Sequence, residues 1–185
     1  MNGWALGVSG ESEKGLAQIG QGLDGYLGVN RHALLALQAD AQLAIGRPEA
    51  ALASATAGLK VVETMGGAPL EAELYRLRGE ALLAGAGTLS EAEAAIEKGI
   101  AVARRQNAKS WELRAATSLA RLRRQQGRPQ EAAALLAPIL GWFTEGFDTA
   151  DLQAARTLLA DLQTESALSA LQGGEGGAHC AAMGG

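Results

Sequence analysis

Few residues in this chain could do chemistry, and their spacing decides against most of what they suggest. Gly7-Val8-Ser9-Gly10-Glu11-Ser12-Glu13-Lys14-Gly15 has the glycines and the lysine of a phosphate-binding loop. Such a loop needs Lys followed by Ser or Thr, so that backbone amides, ammonium and hydroxyl converge on phosphate and Mg²⁺. Here Glu13 precedes Lys14 and Gly15 follows it, so a connection between helices is expected instead. Gly22, Gly25 and Gly28 follow no strand signal, which a dinucleotide-binding turn requires. His179 and Cys180 sit in a Gly-rich tail with nothing to orient them as metal ligands or as nucleophile and base. His32 stands at a helix start, where a solvated or capping role is expected. One cysteine and two histidines are too few for a structural zinc site or a disulfide framework. The sequence therefore predicts no catalytic residue, no metal site and no cofactor, and the chain is not expected to be an enzyme.

Charge is distributed unevenly. Residues 98–128 hold nine basic side chains (Lys98, Arg104, Arg105, Lys109, Arg114, Arg121, Arg123, Arg124 and Arg128) against the single acid Glu112, while the chain as a whole has a net charge of −4. At about 100° per helical residue, Arg114, Thr117, Arg121 and Arg124 fall within about 80° of one another, and Leu113, Ala116, Leu119 and Ala120 form the opposite, packing face. Arginines on such a face suit an acidic peptide, a carboxylate or a phosphate. The alternative is a solvated face paired within the chain to acids such as Glu93 and Glu97. Arg123 lies toward the packing face and would have to snorkel.

The elements that would position this face are legible as repeats. GESEKGLAQIGQGL (Gly10 to Leu23), GRPEAALASATAGL (Gly46 to Leu59), LSEAEAAIEKGI (Leu89 to Ile100) and GRPQEAAALLAPIL (Gly127 to Leu140) align. A small residue marks each (Gly15, Ala51, Ala92, Ala132), at spacings of 36, 41 and 40 residues, and seven residues on comes Gly22, Gly58, Gly99 or Ile139. Upstream lies a second helical stretch with its own small residue, Ala39, Gly79 or Ala120, and Gly3 as a truncated counterpart. Two helices per unit follow, because helices approach closely only where side chains are short. Glycine inside a helix costs about 1 kcal/mol against alanine, so Gly22, Gly58, Gly79 and Gly99 mark either backbone contact or tolerated decay. Gly46-Arg47-Pro48 and Gly127-Arg128-Pro129 carry the stop and start signals of consecutive helices. The predicted helices are 12–27, 30–45, 48–65, 69–84, 89–107, 109–126, 128–141 and 148–171.

Composition agrees. Of 185 residues 48% are hydrophobic, but only 4% are aromatic, so Ala and Leu dominate and an all-β fold is disfavoured. The acidic balance argues against a nucleic-acid partner. MNGWALGVSGESEK lacks the basic and apolar regions of a signal peptide. The apolar run from Ala132 to Phe143 is too short to span a bilayer, so no membrane partner and a cytoplasmic location are expected. Trp142 and Phe143 are expected to anchor the last repeat to a terminal helix with Asp148 as its N-cap. The tail GGEGGAHCAAMGG is expected to be disordered.

With this small, small, Leu/Ile spacing on paired helices the chain resembles tetratricopeptide repeats, although Gln42, Ala55 and Arg123 stand where those repeats usually carry aromatics. EAELYRLRGEALLAG (71–85), EAEAAIEKGIAVARRQNAKSWELRAATSLARL (91–122) and GWFTEGFDTADLQAARTLLADL (141–162) further resemble the C-terminal repeat region of large bacterial proteins. In those proteins an adenylate/guanylate cyclase or other signalling domain is joined to an AAA-type ATPase and a tetratricopeptide array. The resemblance spans roughly residues 1–165, and none of that family's catalytic residues falls in it.

It implies an all-α, tetratricopeptide-like solenoid of antiparallel helix pairs over residues 1–171, with a truncated first repeat, a C-terminal capping helix and a disordered tail at 172–185. The implied function is a non-catalytic protein-binding or regulatory module within a multidomain signal-transduction protein. Its partners would be a protein or peptide, acidic at Arg114, Thr117, Arg121 and Arg124, or neighbouring domains of the parent. The alternatives are a fragment of a cyclase-type enzyme whose catalytic domains lie upstream and a vestigial gene fragment. With Gly3-Trp4-Ala5-Leu6 as the end of a first helix whose earlier turns are missing, Leu16, Ile19, Leu23 and Leu27 would be left open, favouring self-association through that edge.

Overall fold

The computed structural model describes residues 12–24 and 30–174. Among them the chain forms eight α-helices and no strand: α1 (Ser12–Asp24), α2 (Arg31–Ala44), α3 (Pro48–Thr64), α4 (Glu71–Ala81), α5 (Leu89–Arg105), α6 (Lys109–Gln125), α7 (Pro129–Leu140) and α8 (Ala150–Gly174). Each lies within a few residues of a helix expected from the repeat pattern. The last turn of α4 widens into a π-turn over Leu82–Ala86, with Gly85 at φ 134°. Helix α8 runs through Gly174, past the expected end at Leu171. Trp4, the Gly7–Gly10 stretch and the His179-Cys180 tail lie outside the described residues.

The stops repeat one device. After α2, Gly46 adopts φ 72°, its N–H donates to Leu43 O at 3.0 Å, and Arg47 N–H donates to Gln42 O at 2.9 Å. The same paired bonds close α3 at Gly66 and Gly67, α5 at Asn107 and Ala108, and α6 at Gly127 and Arg128. This left-handed closure satisfies carbonyls that the helix end would leave unpaired, and glycine enters it without steric cost. Asn107, at φ 53°, is the non-glycine that serves the same turn. Pro48 and Pro129 then occupy the first turn of α3 and α7. Helix α5 starts differently, with a capping box. Thr88 accepts from Glu91 N–H, and the Glu91 carboxylate accepts from Thr88 N–H at 3.0 Å and from its hydroxyl at 2.7 Å. Those bonds, the backbone one foremost, hold the Glu91 carboxyl below the usual carboxylate range.

The chain divides into two compact units, one ending at Ser118 and the other beginning at Leu119. In the first, α1 packs on α2, α2 on α3, α3 on α4 and α4 on α5, and α2 also meets α4. The markers Ala39, Ala51 and Ala92 are fully buried there. The helix-interior glycines separate into two kinds. A Cβ at Gly58 would meet Leu74 Cδ2 at 2.6 Å, one at Gly79 would overlap Ile96, and one at Gly99 would lie 2.9 Å from Ala72 O. Gly79 and Gly99 mark backbone contact and Gly58 a close side-chain approach, whereas a Cβ at Gly22 would have open space around it. Where an aromatic was missing at Gln42, a polar contact fills the position: Ser54 hydroxyl donates to Gln42 Oε1 at 2.8 Å.

In the second unit α7 packs on α8. Ala132, Leu136 and Ile139 of α7 are buried, as is the α8 stripe Leu152, Ala155, Leu158 and Leu162.

Four expectations are corrected. His32 is buried, 4% exposed, rather than solvated, because α2 begins at Arg31 and turns this residue inward beside Leu35 and Ala36. The N-cap of α8 is Thr149 rather than Asp148: the helix starts at Ala150, and Thr149 O accepts the first helical bond, from Gln153 N–H at 3.0 Å. Trp142 is 58% exposed and does not anchor the last repeat, since the connection after α7 carries it over the surface, whereas Phe143 beside it is half-buried. Trp142 instead packs edge-on against Phe143, and the Arg156 guanidinium lies 5.3 Å from the Phe147 ring. The N-terminal apolar stripe also differs from expectation. Ile19 and Leu23 are each 5% exposed, covered by Leu35 and Ala41 of α2, and Leu27 lies outside the described residues.

Candidate partner-binding groove

The first helices of successive pairs, α2, α4 and α6, bring charged side chains together within the first unit. A cavity of about 220 Å³ opens among them within the first unit. Ala36 and Leu37 from α2, Leu77 from α4 and Trp111 from α6 give it apolar walls, and Asp40, Glu73 and Arg114 give it charge. Glu73 is 5% exposed and is the hub. Its carboxylate accepts from Arg76 Nε at 2.9 Å and Arg76 Nη2 at 2.7 Å, both i,i+3 on α4, and from Arg114 Nη2 at 2.9 Å across to α6. Arg76 also faces Asp40 of α2 at 3.5 Å and Glu80 at 3.6 Å. The Arg114 guanidinium lies 5.7 Å from the Trp111 ring, a cation–π contact.

This network explains how charges sit inside a helical core. Desolvation of a lone carboxylate would favour its neutral form. At Glu73, burial pushes that way, but the charge and hydrogen bonds of Arg76, and then those of Arg114, outweigh it and hold the carboxyl below the usual range. Burial likewise works against the charge on Arg76, and Glu73, Glu80 and Asp40 raise its affinity for the proton in spite of it.

The α6 residues singled out by the sequence fall into different environments. Leu113, Ala116, Leu119 and Ala120 are all buried, as the packing face required. Arg114 lines the cavity and is bound to Glu73. Thr117 is 5% exposed and its hydroxyl donates to Leu113 O of its own helix at 2.8 Å. Arg121 is exposed. Arg124 belongs to the second unit and is held by Glu165 and Asp161 of α8, with Glu165 foremost in raising its pKa above the ordinary value. Elsewhere in the basic stretch, Arg104 and Lys109 grip the buried Glu112 at 2.8 and 2.7 Å, Arg105 meets Glu71 at 3.1 Å, and Arg128 pairs with Glu131. The basic segment is thus compensated both by nearby acids, Glu112 and Glu131, and by Glu71, Glu73 and Glu165, which lie more than thirty residues away in sequence. The hub itself escaped sequence reasoning, although Glu73-x-x-Arg76 at helical spacing was its visible signal.

No known protein-family profile matches the sequence, and no curated protein matches it. Solved structures do. A putative kinesin light chain of Podosopora anserina with nearly identical TPR-like repeats superposes with a TM-score of 0.66 at 18% identity, covering 92% of this chain and 88% of that one. A point variant of that protein gives the same values. The fold is tetratricopeptide-like. In such repeats the paired helices, the small residues at Ala39, Ala51 and Ala92 and the groove across first helices are parts of one scheme: short side chains bring the backbones together, and stacking aligns the first helices side by side. Among the described residues no cluster of His, Cys, Asp and Glu could hold a metal ion, and no helix is long and apolar enough to cross a membrane.

Proposed function

We propose that this chain is a non-catalytic protein-binding module that takes a partner segment in the groove formed by α2, α4 and α6. The observation that carries the reading is the cavity beside Trp111 and Arg114, where apolar walls and a charge-assisted hub occur together on the face that neighbouring first helices share. An aromatic and an arginine are the side chains that most often dominate partner binding. The proposed partner contact at the cavity is Arg114, with Arg121 exposed on the same helix; Thr117, buried and bonded within α6, and Arg124, held by Glu165, stand outside it. An acidic peptide, or an acidic neighbouring domain, would compete with Glu73 for Arg114 and engage Arg121 directly.

The finer reading is that the chain is the C-terminal repeat region of a multidomain cyclase-like or AAA-ATPase signalling protein acting in the cytoplasm. It rests on the resemblance of residues 71–85, 91–122 and 141–162. In that setting the N-terminal side would meet a neighbouring domain or a second copy. An in-frame coding sequence for a cyclase or ATPase directly upstream of the gene supports it, and upstream stop codons in the same frame refute it.

The groove is tested by titrating the full chain with a Glu-rich peptide while following amide resonances. Shifts should centre on α6 around Arg114 and weaken with added salt, since exposed charges are screened over about 8–10 Å at physiological ionic strength. Equal peptide affinity after Arg114 and Arg121 are both replaced by Ser would dismiss the placement.

A further inference from the structure

The larger cleft of the first unit lies away from this groove. It encloses about 570 Å³ and is lined by the second helices α3 and α5 and by a different face of α4. Glu71, Tyr75 and Arg78 recur at i, i+4 and i+7 and so share one face of α4, and all three line the cleft. Lys60 and Glu63 enter it from α3, and Arg105 enters from the end of α5. Three cations from three helices therefore surround the space, against two carboxylates.

The carboxylates are not equivalent. Glu71 already accepts from Arg105 Nη2 at 3.1 Å. Lys60 and Arg78 are both exposed; Arg78 lies within electrostatic reach of Glu91, and Lys60 forms no ion pair among the described residues. The cleft thus offers more cationic donors than its own acids engage, together with the Tyr75 ring as a half-buried wall and Leu59 as an apolar one. Its volume is that of a small-molecule site, which runs from about 300 to 1,000 Å³.

We propose that this cleft binds a small phosphate monoester whose body carries hydroxyl groups. A phosphate brings up to two negative charges and three terminal oxygens, so it can take donors from more than one of the lining cations, Lys60 and Arg78 foremost since Arg105 is already paired with Glu71, where a single carboxylate has two oxygens to offer. Glu63 can accept hydrogen bonds from hydroxyls of the body, and Tyr75 and Leu59 give that body walls to rest against, contacts that inorganic phosphate lacks, so the ester is favoured. No bond is made or broken; the role is binding.

Calorimetric titration of the full chain at low ionic strength tests this, with a hexose 6-phosphate, inorganic phosphate and the unphosphorylated hexose as probes. The hexose phosphate should bind best, inorganic phosphate more weakly and the free hexose not at all. Lys60→Gln and Arg78→Gln should each weaken hexose phosphate binding about tenfold, as loss of a hydrogen bond to a charged group implies. Both side chains are exposed, so the helical circular dichroism of each variant should match that of the parent. Absence of hexose phosphate binding, affinity unchanged in both variants, or inorganic phosphate bound as tightly as the ester would each overturn the proposal.

Discussion

Arg114 and Arg124 lie on one stripe of α6, ten residues apart, and both are tied to carboxylates about forty residues away in sequence, yet the two pairs are physically different objects. Arg114 meets a carboxylate that is almost wholly buried and already held by Arg76. Arg124 meets Glu165, whose side chain is 38% exposed, as is that of Arg124 itself. A buried pair is costly to break because the surviving charge is left in a low-dielectric site, whereas an exposed pair is screened by water and salt. The same residue type on the same face therefore signals core architecture in one unit and surface chemistry in the other.

The largest effect expected from this contrast comes from Glu73→Ala, which leaves the buried Arg76 only its longer contacts to Asp40 and Glu80 and should cost about 3–5 kcal/mol in urea denaturation. A loss below about 1 kcal/mol would show that water relieves the hub. The same group sets an acid limit. Its carboxyl is held below the ordinary value in the folded chain, so the unfolded chain binds the proton more readily as pH drops. The stabilisation it gives is complete above the usual carboxylate range and fades as pH falls through the depressed value. Thermal melts should record this decline, and Glu73→Ala should remove part of it; parallel pH profiles in the two proteins would assign the acid sensitivity to other groups.

Glycine gives a second way to sharpen the comparison. Gly99→Ala drives a Cβ to within 2.9 Å of Ala72 O and should destabilise by about 1–3 kcal/mol, the cost of overpacking. Gly22→Ala meets nothing and should stabilise by up to about 1 kcal/mol through helix propensity. If both substitutions changed the melting temperature in the same direction, the close approach of α5 to α4 would be wrong. Arg124→Ala should have the smallest effect, and raising the salt concentration in the parent should reproduce most of it. A loss comparable to that of Glu73→Ala would erase the distinction between the two pairs.

Helix number, helix order and the tight turns were legible from the sequence because they depend on local chemistry. Small residues recur at Gly15, Ala51, Ala92 and Ala132, Gly46 and Gly127 stop their helices, and Pro48 and Pro129 open the next. These signals act over one or two turns, and backbone sterics enforce them whatever the rest of the chain does. The packing face of α6 could be read for the same reason, as a periodicity. The partners of its arginines could not. The basic run from Lys98 to Arg128 looked like one surface, and the choice among the 20 acids of the chain was open.

Tertiary structure made that choice, bringing Glu73 to Arg114 and Glu165 to Arg124. It also placed His32 inside, carried Trp142 to the surface, and told the glycines that touch a neighbouring helix, Gly58, Gly79 and Gly99, from Gly22, which does not. All of these depend on which helices stack, and at what separation. A composition rich in alanine and leucine specifies helices strongly but gives their faces little individual shape, so pairing, burial and the fate of each charge are decided only when the helices meet.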